Sequence, residues 1–342
     1  MAFDVSRYHL IASDELAQRW ISLRGRLGAP ETTLKAYASD LNDYLRWCSS
    51  RRRPPYPLAL DGIADYVRDM RERAAGRGQR RSFGRRVGLE PTTVYRRITT
   101  LRLWFDYLVE VEVIGRSAFT RENSRFSSRI GLIRKPVNTP WLPNDRDWQT
   151  IIDLVAMESH RNRLMFLLTY ECALRRAELC TLSLSDIDHA LRQIAIRATK
   201  SKSRYDRWLP ISKETAALLI AYERSLPLTM NSTEPIFRSE SHRNAGKAIS
   251  SWTWNKVVER IRDAGSLSRF HPHTIRHVAL TDLARAGWDV LELKAFAGHR
   301  KISTTEIYVH LGARHLAEAM DRTWTSIFAA RRQSLIGIAR DE

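Results

Sequence analysis

Cysteine is nearly absent from this chain: 342 residues carry three, Cys48, Cys172 and Cys180. They form no paired framework and no C-x-x-C, which excludes a disulfide scaffold and a dithiol redox site and implies a reducing cytoplasm. Cys172 and Cys180 lie on an apolar stretch and read as small core residues. No run of about 18 apolar residues occurs, so no membrane partner is expected. The N-terminus, MAFDVSRYHL, lacks the basic-then-apolar layout of a signal peptide. Metal-ligand clusters and nucleotide-binding loops are missing too. His273 and His277 stand at the i, i+4 spacing that can hold a metal, but no Glu or Cys follows at a ligand position. Neither a metal nor any other cofactor is therefore expected. His271, His310 and His315 read as structural or exposed. The chain has no internal repeat and no low-complexity tract.

Positive charge is what the chain has in excess. Lys and Arg number 56 against 38 Asp and Glu, a formal net charge of +18. A soluble protein so basic suits a polyanion, because each neutralised phosphate releases condensed counterions. The cations cluster. Arg51, Arg52 and Arg53 are consecutive, and Arg77, Arg80, Arg81, Arg85 and Arg86 crowd a basic loop at 75–89. Arginine's planar fork suits bidentate phosphate and guanine contacts. With Arg96 and Arg97, these are the candidate DNA-binding residues. The plainer reading of the loop, a solvated basic insertion, stands beside that one.

Helical spacing dominates residues 1–125. Ser13 is placed to cap a helix carrying Leu16, Trp20, Leu23 and Leu27. Pro30 opens a second helix, with Leu34, Tyr37, Leu41, Tyr44 and Cys48 on one stripe. Asp61 is placed to cap a third, and Pro91 opens a fourth with Val94, Ile98, Leu101, Phe105 and Leu108 on its buried face. A polar linker follows at 126–140, then a second domain at 141–330. There Asn144 or Asp145 caps a helix through Leu154, and Asn162 to Cys172 is apolar and helical. Ile194–Ala198 and Trp208–Ile211 read as two short strands around a basic turn. Helices return at about 213–224, 248–264, 274–286 and 290–297, and residues 331–342 read as a disordered tail. The class is mostly α with a small β-insert.

Five side chains in the second half carry chemistry as an ordered set. Arg175 lies in A-L-R-R-A-E-L, His273 and Arg276 form H-x-x-R, His299 sits in A-G-H-R-K and Tyr308 in E-I-Y-V-H. Taken singly, each has a bland reading: a surface pair, a helix end with Gly298 at its C-cap, a core tyrosine. Together, two arginines, two histidines and a phenol can grip a phosphodiester and attack it covalently. Over nearly its whole length the chain resembles the tyrosine recombinases, or phage-type integrases. T-Y-E-C-A-L-R-R-A-E-L-C-T-L is similar to the family's first arginine box. H-P-H-T-I-R-H-V-A-L-T-D-L-A-R-A-G, then F-A-G-H-R-K-I-S-T-T-E-I-Y-V-H, is similar to the second. T-T-L-K-A-Y-A-S-D-L-N-D-Y-L-R-W is similar to the helix that opens the family's core-binding domain.

That resemblance implies an N-terminal helical core-binding (SAM-like) domain and a mixed α/β catalytic domain, closing around duplex DNA as a clamp. It implies strand cleavage and rejoining at a double-stranded recombination site, through a 3′-phosphotyrosyl intermediate and a Holliday junction, without metal or ATP. A dimer would occupy each site and a homo-tetramer the synapse, in a cytoplasmic, nucleoid-associated protein that integrates, excises or resolves a mobile element. Tyr308 is then the nucleophile, and Arg175 and Arg276 clamp the non-bridging oxygens. His273 and His299 hydrogen-bond the phosphate or assist proton transfer, and Glu178, one turn after Arg175, orients the cations.

The family's leaving-group acid is a lysine on the turn between two strands. Lys200 and Lys202 compete for that role here. Counting back from Pro210 in the family pattern G-K-G-x-K-x-R-x-x-P favours Lys202, although serines replace the usual glycines. After Tyr308, Leu316, Met320, Trp324 and Phe328 keep helical spacing, and in the family such a helix docks on a neighbouring protomer. Two other readings share the fold: a DNA-binding architectural protein without chemistry, and a type IB topoisomerase. With helices starting near residue 13, a separate arm-binding domain is not expected. The DNA target, the chromosomal or mobile role, and any accessory recombinase or directionality factor are not written in the residues.

Overall fold

Apolar residues at helical spacing, broken by proline and glycine, divide the chain into two compact units, Met1–Asn138 and Thr139–Glu342. The computed structural model describes residues 3–57, 59–73, 88–119, 139–201, 205–227 and 229–312, with side chains as far as 309. Arg77, Arg80, Arg81, Arg85 and Arg86 of the basic loop, nearly all of the 126–140 linker, Lys202 and the segment carrying Leu316 to Phe328 lie outside the described residues, as does the 331–342 tail.

The first unit contains α1 (His9–Ala12), α2 (Glu15–Arg26), α3 (Glu31–Ser50), α4 (Leu60–Glu72) and α5 (Pro91–Glu110). Their apolar faces meet in a core built on Trp20, Leu41, Tyr44, Tyr66, Trp104 and Phe105. Tyr44 stands edge-on to Tyr66, Trp104 and Phe105 at centroid distances of 5.3, 6.1 and 6.3 Å, the geometry that ring quadrupoles favour. Two caps differ from the sequence reading. Asp14, not Ser13, caps α2, accepting from the Ala17 N–H at 2.9 Å, because the short α1 ends just before it and draws the Ser13 hydroxyl back to the Leu10 carbonyl. Asp61 is the second residue of α4, whose cap is Ala59, so its carboxylate acts only through the helix dipole.

Two carboxylates of α3 point inward and tie the bundle together. Buried Asp40 accepts from Arg96 Nη1 at 2.6 Å and from Thr100 Oγ1 at 2.9 Å. Asp43 accepts from Tyr66 Oη at 2.8 Å, from Arg73 Nη1 at 2.9 Å, and from Arg97 Nη1. Arg97, 14% exposed, is thus held against α3, while Arg96 pairs with Asp40 and keeps 47% of its side chain exposed. Arg51 faces Asp69, and Arg53 pairs with Asp65 while lying over the Trp47 ring. Arg52 turns outward at the end of α3 with a positive φ of 52°.

The second unit contains α6 (Asp145–Ala156), α7 (His160–Glu171), α8 (Arg176–Cys180), α9 (Lys213–Glu223), α10 (Ser251–Ala264), α11 (Pro272–Arg285), α12 (Val290–Ala297) and α13 (Glu306–Gly312). Asn144 caps α6 through the Asp147 N–H at 2.8 Å. Between α8 and α9 an antiparallel sheet runs in the order β1 (Ile187–Asp188), β2 (Gln193–Ile196), β3 (Arg207–Pro210), with Ile194 opposite Leu209. Both longer strands start one residue earlier than their sequence pattern. Ala198 belongs instead to a tight 3₁₀ turn, Ala198–Lys200, and the two-residue β1 is too short to leave a pattern. The core joins Ile151, Leu168, Ile194, Leu209, Trp254 and Ile275 across helices and sheet. Among the described residues no helix is long and apolar enough to cross a membrane.

Removing the Asp43 carboxylate strands three donors on α4, α5 and the residue after α4. Asp43→Ala should therefore lower the unfolding free energy by about 2–4 kcal/mol in urea titration. Arg19→Ala, which removes only an exposed i, i+4 pair with Glu15, should change it by less than about 0.5 kcal/mol.

Candidate active site

The α7 helix stops at Glu171, and Ala173 turns the chain with a positive φ of 46°. This turn presents Arg175 in extended conformation just ahead of the short α8. Glu178 then folds back onto it. Its Oε2 accepts the Arg175 backbone N–H at 2.9 Å, and its Oε1 accepts Arg175 Nη1 at 2.7 Å. The same carboxylate accepts Arg207 Nη2 from β3 at 2.7 Å and the Ser201 hydroxyl from the turn after β2. Glu178 is 2% exposed. Burial alone would raise its pKa, but the bonds and charge of Arg207, then Ser201 and the Arg175 N–H, outweigh this and hold it at about 2.

Three arginines from three separate segments converge on the C-terminal end of α12. Arg207 Nε donates to the Phe296 carbonyl at 3.0 Å, Arg276 Nη2 to Ala297 at 2.8 Å, and Arg175 Nη2 to Gly298 at 2.6 Å. The last carbonyls of a helix have no intrahelical donor and carry its negative dipole end, so guanidiniums are natural partners there. Gly298 closes the helix in left-handed conformation at φ 63°, and a Cβ at that position would stand 2.8 Å from Arg207 Nη1. Arg276, on α11, also donates to the Ala173 carbonyl and meets His299 Nε2 at 2.8 Å. Burial and then the Arg175 charge bring its pKa down to about 9, which leaves it a cation at neutral pH.

The imidazoles and the phenol complete the cluster. Because arginine can only donate, His299 Nε2 must accept from Arg276, and its Nδ1–H donates to Thr305 Oγ1 at 2.9 Å. The His299 ring stacks on Tyr308 with centroids 6.1 Å apart and planes 15° from parallel. Tyr308 is 4% exposed, packed among Ala173, Ala279, Leu280, Leu293 and Ala297, with its Oη 2.7 Å from His277 Nδ1. Burial raises the phenol's pKa, and the charges of Arg276 and Arg175 oppose that rise. All three histidines are held neutral at pH 7. His299 is pushed down to about 3 by burial and by Arg276, Arg175 and Arg207. His277 falls to about 4 through burial, His273, His271 and Arg276, and His273 to about 4 through desolvation, His271 and the nearby arginines.

Arg175, Arg276, His299 and Tyr308 are thus assembled in one place, with the His273 ring 6.4 Å from that of His277 at the margin. Lys202 lies outside the described residues. Lys200 is described, and its ammonium donates to Asp186 Oδ2 at 2.6 Å and Ser183 Oγ at 2.8 Å. Two participants escaped the sequence reading. Arg207 has no role of its own in the sequence reading, yet it stands three residues before Pro210, where the recombinase pattern has arginine. It also alternates with exposed Trp208, which turns it inward. His277 read only as half of an unsupported metal pair. Among the described residues no group of three or more His, Cys, Asp or Glu side chains could hold a metal ion.

The model of the phage integrase family matches residues 144–315, just over half of the chain and the whole of this cluster. The chain belongs to the phage integrase family. Members of this family, the tyrosine recombinases, are enzymes that exchange DNA strands. A tyrosine recombinase named XerC from Thermodesulfovibrio yellowstonii is 27% identical over 312 residues, covering 86% of this chain and 91% of its own. The fold is also that of the XerH site-specific recombinase bound to a palindromic difH substrate, with a TM-score of 0.63 at 17% identity over 92% of this chain and 85% of that one. The Tn1549 transposon integrase in complex with a circular intermediate DNA gives a TM-score of 0.63 at 16% identity, over 92% and 98%.

The depressed Glu178 pKa sets a pH dependence with a definite sign. Its contribution is whole above the ordinary value of 4.5 and is lost as pH falls toward about 2, on the order of 3 kcal/mol in all. The neutral histidines destabilise the fold in acid as well, but they do so in wild type and in Glu178→Gln alike. The difference in unfolding free energy between the two proteins should therefore shrink steadily between pH 5 and 2.5.

Proposed function

We propose that this integrase-family chain is a site-specific DNA recombinase in which Tyr308 attacks a phosphodiester, giving a 3′-phosphotyrosyl bond and a free 5′-hydroxyl. The observation that carries this reading is the convergence of three guanidiniums, offset by the single carboxylate of Glu178, beside one buried phenol. In-line attack gathers negative charge on two non-bridging oxygens. Arg175 and Arg276, already fixed by carbonyls, would meet that charge without reorganising. His273 and His299 flank the phosphate, and Glu178 with Arg207 holds the clamp in place. The covalent bond conserves the energy of the phosphodiester, so rejoining needs no ATP.

The partner is duplex DNA, gripped in part by the exposed arginines after α3 and by the basic loop of the first unit. Recombination would proceed through a Holliday junction within a homo-tetramer, two protomers on each site. The relatives include both a XerC recombinase and a transposon integrase, so the reading extends to site-specific recombination and not to one biological role. Lys202 is the acid that protonates the leaving 5′-oxygen. The neighbouring Lys200 supports this assignment, because its ammonium is already paired with Asp186 at the base of the hairpin.

A nicked suicide duplex, built on a site selected from random DNA by the chain itself, tests these roles. Tyr308→Phe should form no covalent adduct, and Arg175→Ala should slow adduct formation by about 10²–10³-fold. Lys202→Ala should lose about 10²–10⁴-fold on ordinary DNA and recover on DNA with sulfur at the bridging 5′ position, since a thiolate leaves without a proton. Adducts formed by Tyr308→Phe would reject the nucleophile. Sulfur rescue of Lys200→Ala in place of Lys202→Ala would move the acid to Lys200.

A further inference from the structure

We propose that His277 is the proton acceptor for Tyr308: its Nδ1 holds the phenolic hydrogen in the free protein and takes it as Oη bonds to phosphorus. The inference rests on Tyr308 being the nucleophile. Oη lies 2.7 Å from Nδ1, with the two ring centroids 5.7 Å apart and the planes 32° from parallel. No other hydrogen-bond acceptor stands within reach of that hydroxyl among the described residues. The phenol therefore donates, and His277 is the tautomer with a bare Nδ1.

The other imidazoles are excluded by what they already do. His299 stacks on the phenol, but its Nε2 lone pair is taken by Arg276 and its Nδ1 carries the proton given to Thr305. His273 lies one helical turn before His277 and makes no bond to the phenol. The groups facing His277 are His273 and Arg276 from its own helix, His271 at that helix's cap, and Tyr308 and His299 from the elements packed against it. Burial first, then the neighbouring imidazoles and the Arg276 cation, keep the imidazole neutral, so its lone pair is available at pH 7. The same surroundings make it a weak base at rest. It becomes a competent one when the phosphate's developing negative charge enters beside it and favours an imidazolium.

The step balances. The hydroxyl proton passes from Oη to Nδ1, the Oη–P bond forms, the P–O5′ bond breaks, and the 5′-oxygen takes a proton from the acid assigned to Lys202. In rejoining, the 5′-hydroxyl gives its proton back to the neutral Lys202 amine as its oxygen bonds to phosphorus, the P–Oη bond breaks, and the imidazolium returns its proton to Oη.

His277→Asn separates holding from accepting, because an amide oxygen near the Nδ1 position can receive a hydrogen bond but cannot take the proton. With the full-length chain and the suicide duplex, this variant should bind DNA within about twofold of wild type. It should form adduct about 10²–10³-fold more slowly, within the range for loss of a general base. Placing a ring-fluorinated tyrosine, whose phenol is far more acidic, at position 308 should restore most of that rate in His277→Asn while changing the wild-type rate little. A His277→Asn protein that cleaves within about threefold of wild type overturns the assignment. So does a loss that the fluorinated phenol fails to relieve, which would mark His277 as a packing partner. Adducts from Tyr308→Phe would instead remove the premise, so the two failures are distinguishable.

Discussion

The second unit depends on how one eight-residue helix ends. Each of three consecutive carbonyls, those of Phe296, Ala297 and Gly298, is taken by an arginine from a different part of the chain: β3, α11 and the residue before α8. An α-helix must satisfy its terminal carbonyls somehow, usually with water or a glycine motif. Here the cap is built from the cations that the proposed chemistry needs. Fold stability and site geometry are therefore not separable at this point, because displacing α12 would misplace all three guanidiniums at once. Gly298 makes the arrangement sterically feasible, since its missing Cβ leaves the space occupied by the Arg207 fork.

Like charges gathered this closely repel, and in a partly dry site the repulsion is large unless something opposes it. Glu178 opposes it by bonding Arg175 and Arg207 simultaneously, and it also takes the Ser201 hydroxyl from the turn that leads to Lys202. One carboxylate against three guanidiniums leaves the cluster short of negative charge. That imbalance is what a phosphodiester would relieve. It also adds to what burial does to the histidines: a desolvated ring beside cations resists a further proton, so His273, His277 and His299 are neutral. A second carboxylate would have improved the electrostatics of the free protein and weakened its hold on a phosphate.

Much of this was legible in the residues, and the gaps have physical causes. The helices of both units follow from apolar spacing, and the ordered set from Arg175 to Tyr308 carried the family resemblance. The sequence could not show which charges face inward. Arg97 counts equally with Arg51 to Arg53 as a cation, yet Asp43 on α3 claims it across more than fifty residues of chain, a pairing that no local pattern encodes. Arg207 was hidden for the same reason, as one arginine among several on a basic hairpin. His277 was hidden by its neighbours. Beside Arg276 and four residues after His273 it suggested a metal pair, whereas the partner it faces lies 31 residues further on, on α13. Ser13 and Asp14 are both good caps, and the choice between them turned on where α1 happens to end.

The burial of Tyr308 joins these strands. A nucleophile carried on a free tail would keep an ordinary phenol pKa but would have to be ordered at each encounter with DNA. In this structure the phenol is instead packed into its own subunit, among alanines and leucines of α11 and α12, beside the arginines it would work with. Preorganisation of that kind lowers the entropic cost of reaching a reactive geometry. It has a chemical consequence, because removal from water raises the phenol's pKa and makes its proton harder to lose. Arg175 and Arg276 offset part of that rise by stabilising the phenolate, but a cation cannot accept the proton itself. A buried nucleophile therefore requires a neutral base in contact with it, and Arg276, which would help stabilise its anion, is with burial among the causes that keep the adjacent imidazole neutral.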